Sequence, residues 1–157
     1  MKASQLIDEL QLAPHPEGGW YREVYRSADR VQRGEQSRSA TTAIYYLLER
    51  QQLSRWHVVD ADEIWHFYAG APLELLAYDP ASRLLTRHIL NVPGANFAPV
   101  GVIPAGVWQA ARSLGDYSLV GCTVSPGFEF SGFRFTADLP DHRAHFTGAL
   151  AQYDGML

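Results

Sequence analysis

The sequence predicts an all-β domain, an antiparallel sandwich or barrel, on three observations. Beyond residue 20 the apolar residues fall in short runs rich in aromatic and β-branched side chains; Gly, Pro, Asp, Asn and Ser punctuate those runs closely; and no long helical period intervenes. Many short strands with frequent turns bury their apolar faces only by packing sheet on sheet or by closing on themselves. At 157 residues, 46% hydrophobic and 19% charged, the chain is sized for one domain with its own core, so residues 1–157 are read as a single unit.

The elements follow in order. Ser4 is placed to cap a short N-terminal helix with Leu6, Ile7 and Leu10 on one stripe, and the stretch APHP at 13–16 stops it. Strand signals then run through WYREVYRS, TTAIYYLLE, SRWHVV, EIWHFYAG, LELLAYDP, LLTRHILN, PVGVIPAG, VWQAARS and YSLVGCTVSP. Asp79-Pro80 opens a hairpin turn between two of them. Pro140 at a helix start, with Leu139, Phe146 and Leu150 at loosely helical spacing, predicts a short C-terminal helix within 136–150. There is no internal repeat and no linker-like tract.

Composition narrows the function classes. Thirteen Lys and Arg against 17 Asp and Glu give a formal charge of −4, and the basic residues are scattered, which disfavours a nucleic-acid partner. No stretch approaches the roughly 18 apolar residues of a membrane helix, and the start MKASQLIDEL has no continuous apolar core, so the expectation is a soluble, cytoplasmic protein with no membrane partner. Cys122 is the single cysteine, in an apolar strand-like setting, and reads as a buried inert thiol.

The chemistry concentrates in SRWHVVDADEIWHFYAG, residues 54–70. Side chains alternate along a strand, so Glu63, Trp65 and Phe67 share one face while Ile64, His66 and Tyr68 share the other. If the turn at 60–62 preserves parity, His57 joins Glu63 on the interior face. An imidazole and a carboxyl group among aromatic rings form a setting for proton transfer; the same pair also serves as a satisfied structural hydrogen bond, and spacing alone leaves both open. In VIPAGVWQAA, residues 102–111, Pro104 and Gly106 shape a turn that returns Trp108 and Gln109 to a strand at the pocket mouth. In HPEGGWYRE, residues 15–23, Glu17 and Tyr21 either rim the pocket or bond the loop backbone. In SPGFEFSGF, residues 125–133, Phe128, Glu129 and Phe130 are either a lid or an aromatic plug. His88, His142 and His145 read as surface residues.

These residues also carry a resemblance. HVVDADEIWHFYAG (57–70) resembles the first cupin motif: His57, Glu63 and Gly70 fall on it, and Val59 stands where the second His would be. PAGVWQ (104–109) resembles the second motif, with Gln109 in place of its His. HPEGGWYREVY, TTAIYYLL, SRWHVVDADEIWHFYAGAPLELL, IPAGVWQAA and LVGCTVSPGFEF together resemble the cupin-5 family, a cupin-like domain of unknown function, from about residue 6 to about residue 135. The resemblance implies a cupin-type jelly-roll β-barrel with short N- and C-terminal helices, usually paired into a homodimer, with a pocket inside.

Metal-dependent cupins use three His and one Glu, whereas this chain has His57, Glu63 and an amide at Gln109. No tightly bound metal or other cofactor is therefore expected; a divalent ion would be held at most weakly by those three. Three functions compete. By analogy with metal-free sugar epimerases on this fold, the first is an isomerase or epimerase of a sugar-like or cyclic metabolite, with His57 as base and Glu63 as its orienting or acidic partner. The second is a non-catalytic module in which Trp65, Phe67, Trp108, Gln109, Glu129 and Phe130 contact an unidentified small molecule. The third is a metal-dependent enzyme of oxygenase type, against which Val59 and Gln109 count.

Overall fold

The strand-period segments become two antiparallel sheets laid face to face. The computed structural model describes residues 1–157. One helix, α1 (Ala3–Glu9), precedes the strands β1 (Ala13–Pro14), β2 (Trp20–Arg26), β3 (Arg30–Arg33), β4 (Gln36–Ser39), β5 (Thr42–Glu49), β6 (Leu53–Val59), β7 (Asp62–Gly70), β8 (Leu73–Asp79), β9 (Leu84–Leu90), β10 (Val100–Ile103), β11 (Trp108–Ser113), β12 (Tyr117–Ser125) and β13 (Phe133–Phe135). One sheet has the order β1-β2-β5-β12-β7-β10 and the other β13-β6-β11-β8-β9. The fold is thus the open, two-sheet form of the jelly roll. No helix is long and apolar enough to cross a membrane.

Alternation decides which residues form the core. The pairs Glu63↔Val124, Trp65↔Cys122 and Phe67↔Val120 face the second sheet, where Leu73, Leu75, Ala77 and Ala111 meet Trp65, Cys122, Val120 and Phe67 in one buried cluster with Tyr46 and Leu48. Ile64 and His66, opposite Thr123 and Gly121, lie on the outer face. Tyr68 lies over Gly121, where a Cβ would fall 2.2 Å from its hydroxyl. The register slips between Leu119 and Val120, beyond Phe67, and the extra residue turns Ala69 to the outer cluster with Leu119.

Three local expectations change. The helix begins at Ala3, with Lys2 as the N-cap, so Ser4 lies in the first turn and does not cap it. The β3–β4 hairpin carries no aromatic alternation and lies largely in solvent, so its sequence showed no strand period. The C-terminal helical segment is built of 3₁₀ turns over 136–138, 142–144 and 148–156, because Asp141 and Gly148 adopt left-handed backbone angles that an α-helix does not accommodate. Those turns cover the outer face of the five-stranded sheet: Leu150 and Met156 pack with Trp56, Leu76, Tyr78 and Trp108 in a second buried cluster.

Candidate active site

The site begins with a turn. His15, Pro16 and Glu17 precede Gly18 and Gly19, whose positive φ angles of 112° and 75° fold the chain sharply against β6. A Cβ on Gly18 would lie 2.0 Å from the Leu53 carbonyl oxygen. The Arg55 N–H donates to the Glu17 carbonyl at 3.1 Å and the Tyr46 hydroxyl to that of Gly18 at 2.6 Å, so the turn is fastened to the inner wall and drives the Glu17 side chain inward.

A slip in register on the opposite wall prepares the landing. β11 advances two residues from Gln109 to Ala111 while β6 advances three, from His57 back to Ser54. This bulge brings Ser54 and His57 both to Glu17. The Ser54 hydroxyl donates to Glu17 Oε1 at 2.7 Å, and His57 Nε2 lies 3.2 Å from Glu17 Oε2. His57 Nδ1 faces the Arg55 carbonyl at 2.6 Å, and a carbonyl only accepts, so Nδ1 carries a proton. The Nε2–Oε2 approach is an ion-pair contact when the imidazole is protonated. His15 completes the group: its Nδ1 accepts the Glu17 N–H at 3.1 Å.

Glu63 enters from β7 and is oriented by a short chain. The Trp65 indole N–H, which can only donate, meets Gln109 Oε1 at 2.9 Å, and this fixes the amide so that its NH₂ donates to Glu63 Oε2 at 2.6 Å. Phe133 stacks on His57 with ring centroids 5.1 Å apart.

Burial governs the electrostatics. It raises the Glu63 carboxyl to about 7, against the opposing pull of His57 and with help from the charge of Glu17. It raises Glu17 too, against the opposing effects of His15 and the Ser54 hydroxyl. It lowers His57 and His15, opposed by Glu63 and Glu17 respectively. Burial likewise pushes the Cys122 thiol well above its ordinary value, in keeping with an inert side chain.

These groups line a cavity of about 110 Å³ between the sheets. Glu129, Phe130, Tyr21 and Arg26 also line it, along with the apolar Ile44, Val59 and Val124. The structure brings His57, Glu63, Glu129 and Phe130 to one cavity, and His66 stands on the far face of its sheet beside Thr123. Other placements correct the expectation. Gln109 and Trp65 stand behind Glu63, buried and outside the lining, and Phe67 packs into the core. Trp108 lies on the opposite side of the five-stranded sheet, since neighbours in a strand cannot both face in; its ring packs 4.9 Å from that of His145 and 5.5 Å from that of Tyr78. His145, read as a surface residue, belongs to this outer cluster and meets the Tyr78 hydroxyl at 3.0 Å. His57 has Glu17, not Glu63, as its side-chain partner. The only sequence signal for this was a carboxyl group followed by two glycines.

The same geometry bears on a metal. Val59 offers no donor atom, Gln109 turns its nitrogen rather than its oxygen toward Glu63, and nowhere do three His, Cys, Asp or Glu groups converge as ligands. The residues present do not fit the three-His, one-Glu set.

The family described as Cupin superfamily (DUF985), Cupin_5, matches residues 4–136. The chain belongs to this cupin family. A hypothetical protein from Leishmania major shares 32% identity over 97% of this chain and 98% of its own, with a TM-score of 0.82. A protein from Shewanella oneidensis shares 32% identity over 99% of this chain and 94% of its own, with a TM-score of 0.83. A cupin 2 conserved barrel domain protein from Rhodopseudomonas palustris has the same fold at 14% identity, over 90% of this chain and 97% of its own, with a TM-score of 0.56. No curated protein matches the chain. The Cupin_5 match ends where the 3₁₀ segment begins, while the Leishmania and Shewanella proteins align over nearly the whole chain.

Proposed function

We propose that this Cupin_5 protein is a metal-independent isomerase or epimerase of a small cyclic or sugar-like metabolite, working by proton transfer between carbon and the buried groups of the cavity. The observation that carries this reading is one cavity holding two separate acid–base centres: Glu17 and His57 side by side, and Glu63, whose carboxyl is held at about 7. Groups that titrate near the working pH are efficient general acids and bases. Glu63 Oε2 is occupied by Gln109, while Oε1 takes no hydrogen bond from an N–H or O–H. His57 Nε2 is already engaged with Glu17. This favours ionised Glu63 as the base that removes a proton from an acidic C–H, and the Glu17–His57 couple as the acid that returns one to the neighbouring position or the opposite face. It reverses the roles assigned from the sequence. The balance is one proton taken and one given, and the enzyme resets by exchange with solvent.

The test is incubation with a metabolite extract in D₂O. Mass spectrometry should find deuterium loaded into one or a few metabolites, with the rate down at least about 100-fold in Glu63→Gln and in Glu17→Gln. Absence of loading with the native protein rejects the isomerase reading. If the protein still retains a small molecule on denaturing mass spectrometry, a non-catalytic binding module takes its place.

A further inference from the structure

We infer that the cavity takes an organic cation, an ammonium group on a small apolar or aromatic frame, with its charged nitrogen at Glu63. This rests on reading the cavity as the working site and names the charge of what it holds; the ammonium would occupy Oε1, the oxygen that the isomerase reading uses as base, so a cation held this way is bound and not deprotonated by Glu63. The lining carries four carboxyl groups, Glu17, Glu23, Glu63 and Glu129, against one guanidinium, that of Arg26, and no lysine. That guanidinium is committed: its Nε donates to Glu23 at 2.7 Å, one terminal nitrogen to Glu129 at 3.2 Å, and the other to the Phe128 carbonyl at 3.0 Å. A phosphate or carboxylate on the ligand would find no free cation here and would face like charge, a costly arrangement out of water.

Inside the cavity burial disfavours the charged forms of Glu17 and His57 alike. Glu63 is the remaining acid. It is 7% exposed, and its Oε1 has no N–H or O–H donor; the Cys122 thiol beside the carboxylate is a weak one. A buried carboxylate with an unfilled acceptor is best satisfied by a charged donor. The rings of Tyr21, Tyr46, Phe128, Phe130 and Phe133 line the same cavity, and aromatic faces attract cations while repelling anions. The elevated carboxyl of Glu63 is consistent with this, since an ammonium beside it would restore its charge.

The experiment is calorimetric titration of the full chain with three probes of similar shape: benzylammonium, benzyl alcohol and benzoate. Benzylammonium should bind at least about tenfold more tightly than either of the others. Glu63→Gln should cost it about tenfold while leaving benzyl alcohol within about threefold. Arg26→Gln removes the one guanidinium of the lining and should strengthen benzylammonium; weaker benzylammonium binding in this variant overturns the inference. Binding of benzoate or benzyl alcohol as tight as that of benzylammonium overturns the inference, as does benzylammonium binding that Glu63→Gln leaves unchanged, or none up to millimolar concentration. Loss of the ammonium preference with deuterium loading intact removes the cation and leaves the isomerase. The ammonium preference without deuterium loading does the opposite.

Discussion

Glu63 has a folded-state pKa above that of an unfolded glutamate, and this has a measurable sign. Its ordinary value is 4.5 and its value in the cavity about 7, so below pH 4.5 it is protonated in both states and contributes nothing. Between those values the unfolded chain gives up a proton that the folded chain keeps, and stability falls as pH rises. Above about 7 the cost is constant, at about 3 kcal/mol. The lowered His57 and His15 work in the other direction, since the unfolded chain binds the proton more readily and stability rises with pH up to about 6.5. The Glu63 share is isolated by comparison with Glu63→Gln. The variant's melting temperature relative to the native protein should climb between about pH 4.5 and pH 7 and then level off. A difference that does not vary with pH would show that Glu63 titrates normally. At this scale the sequence was informative about His57 and Glu63 and nearly silent about Glu17, because a lone carboxyl in a loop announces nothing until the loop's landing place is known.

At the scale of elements, the HPEGG turn and the β11 strand decide the site. Gly18 and Gly106 both have positive φ, but a Cβ at Gly106 would meet nothing within 4 Å, whereas one at Gly18 would strike the Leu53 backbone. Gly106→Ala should therefore cost only about 1 kcal/mol of backbone strain, and Gly18→Ala more than about 2 kcal/mol with loss of benzylammonium binding as Glu17 is displaced. Denaturant melts with titration of the folded protein check the pair. On β11 the alternation of Trp108 and Gln109 makes a second contrast. Trp108 is 6% exposed in the outer cluster, remote from the cavity. Trp108→Leu should destabilise by about 2 kcal/mol or more and leave the ligand affinity of the folded protein unchanged. Loss of affinity at full stability would place Trp108 back in the site.

For the molecule as a whole, the outer face of the six-stranded sheet is the open question. Tyr68, Val100 and Val102 are 53%, 44% and 51% exposed there, beside Ile64 and His66. Contiguous apolar surface of this kind is characteristic of interfaces, and a second copy of the chain is expected to cover it. Light scattering should give twice the 17.5 kDa chain mass, and Tyr68→Lys with Val102→Lys should give the monomer without loss of the cavity's ligand preference. A monomeric native protein would reject the pairing. By itself the sequence determined the fold class, the run of strands from β5 to β12 and the common face of Glu63, Trp65 and Phe67, because side-chain alternation is a local property of a strand and needs no partner to be read. The tertiary structure alone decided that Glu17 meets His57, that Gln109 turns its nitrogen to Glu63, and that the 3₁₀ segment covers Trp108. Each of these joins residues about 40 positions apart through a turn, a bulge or a covering segment, and no short-range period in the chain records which distant surface such an element will meet.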